Sequence, residues 1–137
     1  MSLKKYKTLA VDEFTTPDLI KVYTDASLLD VWNTMEEKGI RHVIVSDPSQ
    51  NICGIISDRD VRMFSQSQLI ADLKAKDIMH SPVFTVRSGT LLSQVALEMS
   101  QNKYGSALVY DDISGEYGIF TATDALNALV EILRGDV

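Results

Sequence analysis

Two stretches of this chain set a hydroxyl side chain and a carboxylate three residues apart behind the same lead-in. They are Gly54-Ile55-Ile56-Ser57-Asp58-Arg59-Asp60 and Gly118-Ile119-Phe120-Thr121-Ala122-Thr123-Asp124. A ligand with vicinal hydroxyls suits such a pair. An ionised carboxylate only accepts hydrogen bonds, so it can take both protons of a diol at once. Charge-assisted bonds of this kind are stronger than neutral ones. The Ser or Thr can donate or accept beside it, and a strand-to-helix corner brings both side chains to one edge. The same spacing also describes a helix cap, because a carboxylate is favoured where helix-initial amides are exposed. One isolated copy reads as a cap. Two copies at one register, each behind Gly-apolar-apolar, point to a ligand, and Ser57, Asp60, Thr121 and Asp124 are the candidate residues.

The elements that must carry these pairs repeat with them. Gly54 and Gly118 lie 64 positions apart, and at that offset Val22 matches Val86, Leu28 matches Leu92, Val31 matches Val95, Met35 matches Met99, Val45 matches Val109 and Asp47 matches Asp111. One unit of such a repeat rarely buries its own apolar face, whereas two can bury theirs together. Each repeat reads as strand, helix, strand, strand, short helix. In the first, Leu19 to Tyr23 is a strand, and Ser27-Leu28-Leu29-Asp30 resembles a capping box. Leu28, Val31, Trp32 and Met35 make one helix face, and Gly39 ends the helix. His42 to Val45 and Ile52 to Ile56 are strands around the turn residues 47–51. In the second repeat, Val83 to Val86 is the first strand, and Leu92, Val95, Ala96 and Met99 make the helix face. Ala107 to Tyr110 and Glu116 to Phe120 form a hairpin, and a closing helix from Asp124 to Arg134 carries Leu126, Leu129, Val130 and Leu133. Ser65 to Gln68 reads as a linker, and Leu69 to Met79 as one or two helical turns.

The bulk properties narrow the function classes. The chain has 137 residues, 45% apolar and 23% charged, ordinary values for a globular protein with one compact domain or two small halves. No apolar run approaches the length of a membrane helix, and the basic N-terminus, Met1 to Lys7, lacks the features of a secretory signal. Met1-Ser2-Leu3 reads equally as a native start or a tag remnant. The single cysteine, Cys53, excludes an intrachain disulfide and reads as buried filler, so a cytoplasmic location is expected. The formal charge of −6 leaves no basic stripe for nucleic acid. Any phosphate must meet a few well-placed cations.

At this point the pattern resembles a tandem pair of cystathionine-β-synthase (CBS) domains, a Bateman module. The resemblance rests on Asp77-Ile78-Met79 leading to Pro82 and Thr85-Val86, on Gly105-Ser106-Ala107-Leu108-Val109-Tyr110-Asp111, on Gly39-Ile40-Arg41-His42-Val43-Ile44-Val45, and on the two opening motifs. It covers roughly residues 10–134. Val43-Ile44 and Ala107-Leu108 stand where many members carry Leu-Pro, and Glu13 to Pro17 is a weak version of Asp77-Ile78-Met79. The resemblance implies an α+β fold of two CBS repeats related by a pseudo-twofold axis, each a small, mostly antiparallel sheet packed against two helices. The expected domains are an N-terminal extension at 1–16, repeat 1 at 17–65, a linker at 66–76 and repeat 2 at 77–134.

The family's function carries over residue by residue. Ser57 with Asp60, and Thr121 with Asp124, would bind the ribose of an adenosine-containing ligand in clefts between the repeats. By family geometry Ile20, Lys21 and Val22, and Val83, Phe84, Thr85, Gly105 and Ser106, would line the base pockets through main-chain groups. These strands also read simply as core. Arg41 and His42 match positions where members place basic residues facing the cleft, and Arg59 lies within the first motif; together they could hold the phosphates of AMP, ADP or ATP. Their other reading is as surface arginines and a strand-end histidine. Thr123, at the place of Arg59, is neutral, so the sites are not equivalent. His80 reads as a linker residue.

Catalytic signatures are missing: there is no Gly-x-Ser-x-Gly, P-loop or His-Glu-x-x-His motif, and two histidines and one cysteine make no zinc site. The expectation is therefore a non-enzymatic module with no cofactor or metal. It is either a sensor of adenine nucleotides, of S-adenosylmethionine or of a dinucleotide, or a scaffold that docks an unknown protein partner. The resemblance implies a homodimer through faces of residues 28–38, 92–102 and 124–134.

Overall fold

The computed structural model describes residues 3–136, so Met1 and Ser2, and whether they are native, lie outside the described residues. The chain divides into two compact units, Leu19–Val83 and a second one made of Met1–Asp18 with Phe84–Val137.

In the first unit, strand β1 (Ile20–Tyr23) leads to helix α1 (Leu28–Lys38). The Ser27 hydroxyl accepts the Asp30 amide at 3.1 Å, which is one half of the expected capping box; the return bond from the Asp30 carboxylate to the Ser27 amide is not made among the described residues. Gly39 closes the helix at φ 64°, a conformation that costs glycine nothing. Leu28, Val31 and Met35 are buried on one face. Because α1 carries the chain back across the sheet, β2 (His42–Ser46) runs parallel to β1. The turn at Asp47, whose carboxylate accepts the Asn51 amide at 2.9 Å, then sets β3 (Ile52–Ser57) antiparallel to β2. Short helices α2 (Asp58–Arg62) and α3 (Ala75–Ile78) complete the unit around a core of Leu28, Val31, Val43, Val45, Ile56 and Val61. Cys53 is half-buried, where the sequence suggested burial.

The second unit repeats the order with β4 (Thr85–Arg87), α4 (Leu92–Asn102), β5 (Ser106–Tyr110), β6 (Tyr117–Thr121) and α5 (Ala122–Arg134). Its register is that of the first sheet moved by 64 positions: Lys21 pairs with Ile44 and Thr85 with Leu108, while His42 pairs with Ser57 and Ser106 with Thr121. Each sheet is mixed. Its outer pair is parallel because a helix connects it, and its hairpin pair is antiparallel and longer, five positions against four in one sheet and five against three in the other. Helix α5 packs through its smaller side rather than through its leucines. Ala125, Ala128 and Ile132 meet the core, while Leu126, Leu129, Val130 and Leu133 are 63%, 51%, 49% and 76% exposed. The small alanines let the helix approach the sheet closely and leave the bulky face outside.

The segment read as an N-terminal extension is part of the second unit. Two 3-10 helices, Leu3–Thr8 and Val11–Phe14, lead into it, and Val11 is fully buried against Leu92, Val95 and Phe120. Thr16 exchanges two backbone hydrogen bonds with Ile119 at 2.9 and 2.8 Å. Sixty-four positions on, His80 does the same with Ile55 at 2.9 and 3.1 Å in the first unit. Each sheet is thus completed by the segment preceding the other repeat.

That approach explains the glycine of each motif. A Cβ on Gly54 would lie 2.8 Å from the Met79 side chain and 2.9 Å from the His80 carbonyl; one on Gly118 would lie 2.6 Å from the Thr15 methyl and 2.8 Å from the Thr16 carbonyl. Backbone cannot retreat from such contacts as a side-chain tip can. Gly54→Ala and Gly118→Ala are each expected to cost about 1–3 kcal/mol in urea unfolding. A neutral result for both would show that the leader segments do not lie against the motif glycines.

Candidate functional site

Both hydroxyl–carboxylate pairs fold into the same corner. In the first unit Ser57 ends β3 and caps α2: its Oγ accepts the Asp60 amide at 3.2 Å, and Asp60 Oδ2 accepts the Ser57 amide at 2.9 Å and the Ser57 hydroxyl at 2.8 Å. In the second unit Thr121 ends β6 and caps α5: its Oγ1 accepts the Asp124 amide at 3.2 Å, and Asp124 Oδ2 accepts the Thr121 amide at 2.8 Å and the Thr121 hydroxyl at 2.9 Å. The cap reading holds in both units, and each cap engages a single oxygen of its carboxylate. One carboxylate oxygen serves the helix; the other is left for something else.

At Asp60 that other oxygen is taken. Oδ1 lies 3.0 Å from Nε2 of His80, whose side chain is 70% exposed while that of Asp60 is 19% exposed. Sequence reading passed over His80 as a linker residue. The only available hint was that Asp77-Ile78-Met79 and Glu13 to Pro17 are repeats of one another. Burial works against the charge on Asp60, but the Ser57 amide, His80 and the Ser57 hydroxyl outweigh it and hold the carboxyl below its usual range. Asp124 Oδ1 has no hydrogen-bond or ion-pair partner among the described residues. Thr16 holds the register place that His80 holds in the other unit.

The flanking residues are distributed over the strands and helix ends that adjoin each corner. In the first unit His42 pairs with Ser57, and the Arg41 carbonyl accepts the Asp58 amide at 2.8 Å, so both stand beside the corner. The exposed side chain of Arg41 lines a shallow groove of about 230 Å³ with Trp32, Glu36, Asp58 and Arg62, a groove that does not include Ser57 or Asp60. Arg59 is exposed on α2. Ile20, Lys21 and Val22 run along β1 beside Val43, Ile44 and Val45, with Val22 turned into the core. In the second unit Ser106 pairs with Thr121, and the Gly105 carbonyl accepts the Ala122 amide at 3.0 Å. The Phe84 carbonyl accepts the Leu108 amide at 2.9 Å, and its ring stacks on Tyr104 with centroids 4.9 Å apart. Thr85 is exposed. Val83 is the last residue of the first unit. The aromatic pair was not singled out from sequence; the counterparts of Phe84 and Tyr104 in the first unit are the aliphatic Ile20 and Ile40.

Among the described residues no group of three or more His, Cys, Asp or Glu is placed to hold a metal ion, and no helix is long and apolar enough to cross a membrane.

Comparison with known proteins places the chain in a family. The CBS domain model matches it twice, at residues 11–67 and 75–131, and the chain belongs to that family as a tandem pair. It is 26% identical over 122 residues to the uncharacterized protein MK0525 of Methanopyrus kandleri, covering 88% of this chain and 62% of that one. Other curated relatives are matched over 21% to 45% of their length. Among solved structures, CBSX2 in complex with AMP aligns with a TM-score of 0.65 at 24% identity, covering 90% of this chain and 97% of CBSX2. The CBS domain pair of MJ0100, in complex with 5′-methylthioadenosine and S-adenosyl-L-methionine, aligns with a TM-score of 0.67 at 22% identity, covering 88% and 99%.

The Asp60 geometry sets a pH dependence. A carboxyl held low in the folded state contributes stability that is fully present above its unfolded value, near 3.8, and that is lost as pH falls through the folded value. Asp60→Ala is expected to cost about 1 kcal/mol at pH 7, with the gap to wild type closing in acid. A gap that stayed constant from neutral pH to pH 2 would contradict the bonded carboxylate.

Proposed function

We propose that this CBS pair is a non-catalytic regulatory module that binds an adenosine-containing ligand, AMP, ADP or ATP, through the ribose. The observation that carries the reading is the duplicated corner, in which one carboxylate oxygen caps a helix and the other, at Asp124, stays open to a diol. Thr121 and Asp124, and Ser57 and Asp60, are the proposed ribose contacts. The strand starts at Ile20, Lys21 and Val22, and at Val83, Phe84, Thr85, Gly105 and Ser106, would meet the base. Arg41, His42 and Arg59 would meet phosphate. The AMP bound to CBSX2 supports this assignment. The ligands of the MJ0100 pair support S-adenosylmethionine as the alternative, since it presents the same ribose, and a dinucleotide would as well. Regulation requires only that the ligand favour one conformation of the protein over another. A cytoplasmic location belongs to the same proposal.

Thermal melting tests it. Ligand at a hundred times its dissociation constant stabilises the native state by about 2.7 kcal/mol. Wild type is expected to melt several degrees higher in millimolar AMP, ADP, ATP or S-adenosylmethionine, and Asp124→Asn to lose most of that shift. No shift with any of them would sink the nucleotide reading.

The exposed leucine face of α5 favours a second role, assembly with another copy of the chain or docking of a protein partner. Sedimentation is expected to show a dimer that Leu129→Glu with Leu133→Glu converts to monomer. A wild-type monomer at all concentrations would remove self-assembly.

A further inference from the structure

A ribose diol presents two donors, so a carboxylate that binds both must have two acceptor directions to spare. An ionised carboxylate has about four. Asp124 spends two, both on Thr121, and keeps two. Asp60 spends three, two on Ser57 and one on His80, and keeps one. His80 is held beside Asp60 by its backbone pairing with Ile55, so the imidazole contact follows from the way the leader segment completes the sheet. The second unit has the neutral, shorter Thr16 at that place. It also carries the stacked Phe84 and Tyr104 at the start of its strands, with Tyr104 43% exposed and able to offer a ring face to a base.

We infer that His80 makes the two corners unequal, occupying the oxygen of Asp60 that a ribose would need and leaving the Thr121–Asp124 corner as the tighter nucleoside site. This rests on the ribose reading above and adds to it a residue that ranks the sites. His80 is a latch: a diol enters the first corner only by displacing the imidazole or by giving up one charge-assisted bond.

Isothermal titration with AMP, and with adenosine to separate ribose recognition from phosphate, tests the ranking. Wild type is expected to show one tight site per chain and a second about tenfold weaker, the ratio that one hydrogen bond to a charged group supports. Asp124→Asn should remove the tight site, and Asp60→Asn should leave it intact. His80→Ala, at a side chain exposed enough to spare the fold, should bring the two dissociation constants within about threefold. Thr16→His, which places an imidazole at the matching position of the second unit, should weaken the tight site, and circular dichroism should confirm each variant folded. Equal sites in wild type would overturn the inference. So would loss of the tight site in Asp60→Asn but not in Asp124→Asn, or His80→Ala binding indistinguishable from wild type. If neither probe binds wild type or His80→Ala, the ribose reading itself fails and takes the latch with it; the other contrary results leave ribose binding standing.

Discussion

The structure depends on an exchange of short backbone segments. Residues 9–16 precede the first repeat but bond to the second sheet, through Leu9 to Leu92, Thr90 to Val11, and Thr16 to Ile119. Residues 73–80 precede the second repeat and bond to the first sheet at the matching places: Leu73 to Leu28, Ala26 to Ala75, and His80 to Ile55. Neither core closes without its borrowed segment, as Val11 and Ala75, both fully buried, attest. Asp12 fastens the first segment further, accepting the Ser88 hydroxyl and, at 2.7 Å, the Gly89 amide. Burial opposes the charge of Asp12, but these bonds prevail and hold its carboxyl below the usual range.

The same exchange shapes the two hydroxyl–carboxylate corners. It brings Met79 and His80 against Gly54, and Thr15 and Thr16 against Gly118, leaving no room for a side chain where each motif begins, and it decides what stands next to each carboxylate. One corner receives a histidine and the other a threonine. The helix caps use one oxygen of Asp60 and one of Asp124, so the cap and the proposed ribose contact do not draw on the same atom. The two copies share one pattern and differ in chemistry at particular places, among them His80 against Thr16, Phe84 against Ile20 and Arg59 against Thr123.

Much of this was legible in the sequence. The 64-residue period, the Ser27 cap, the helix faces at Leu28, Val31 and Met35 and at Leu92, Val95 and Met99, and the paired corners all follow from local patterns, and the structure has each of them. What stayed hidden is non-local. No periodicity says that Thr16 bonds to Ile119 rather than to its own repeat, so the leader read as an extension and His80 as a linker. Which side of helix α5 packs is also hidden: it is apolar on two faces, and Ala125, Ala128 and Ile132, not the leucines, meet the core. The stacking of Phe84 on Tyr104 likewise joins residues that only the parallel strand pairing brings together.

The central claim, that the corner at the end of β6 recognises a ribose, is tested most directly by a crystal structure of the protein grown with AMP. The account predicts a nucleotide whose two ribose hydroxyls lie within hydrogen-bonding distance of the Asp124 carboxylate, with the Thr121 cap intact. A nucleotide bound elsewhere in the protein, with the Asp124 carboxylate facing solvent alone, would contradict it.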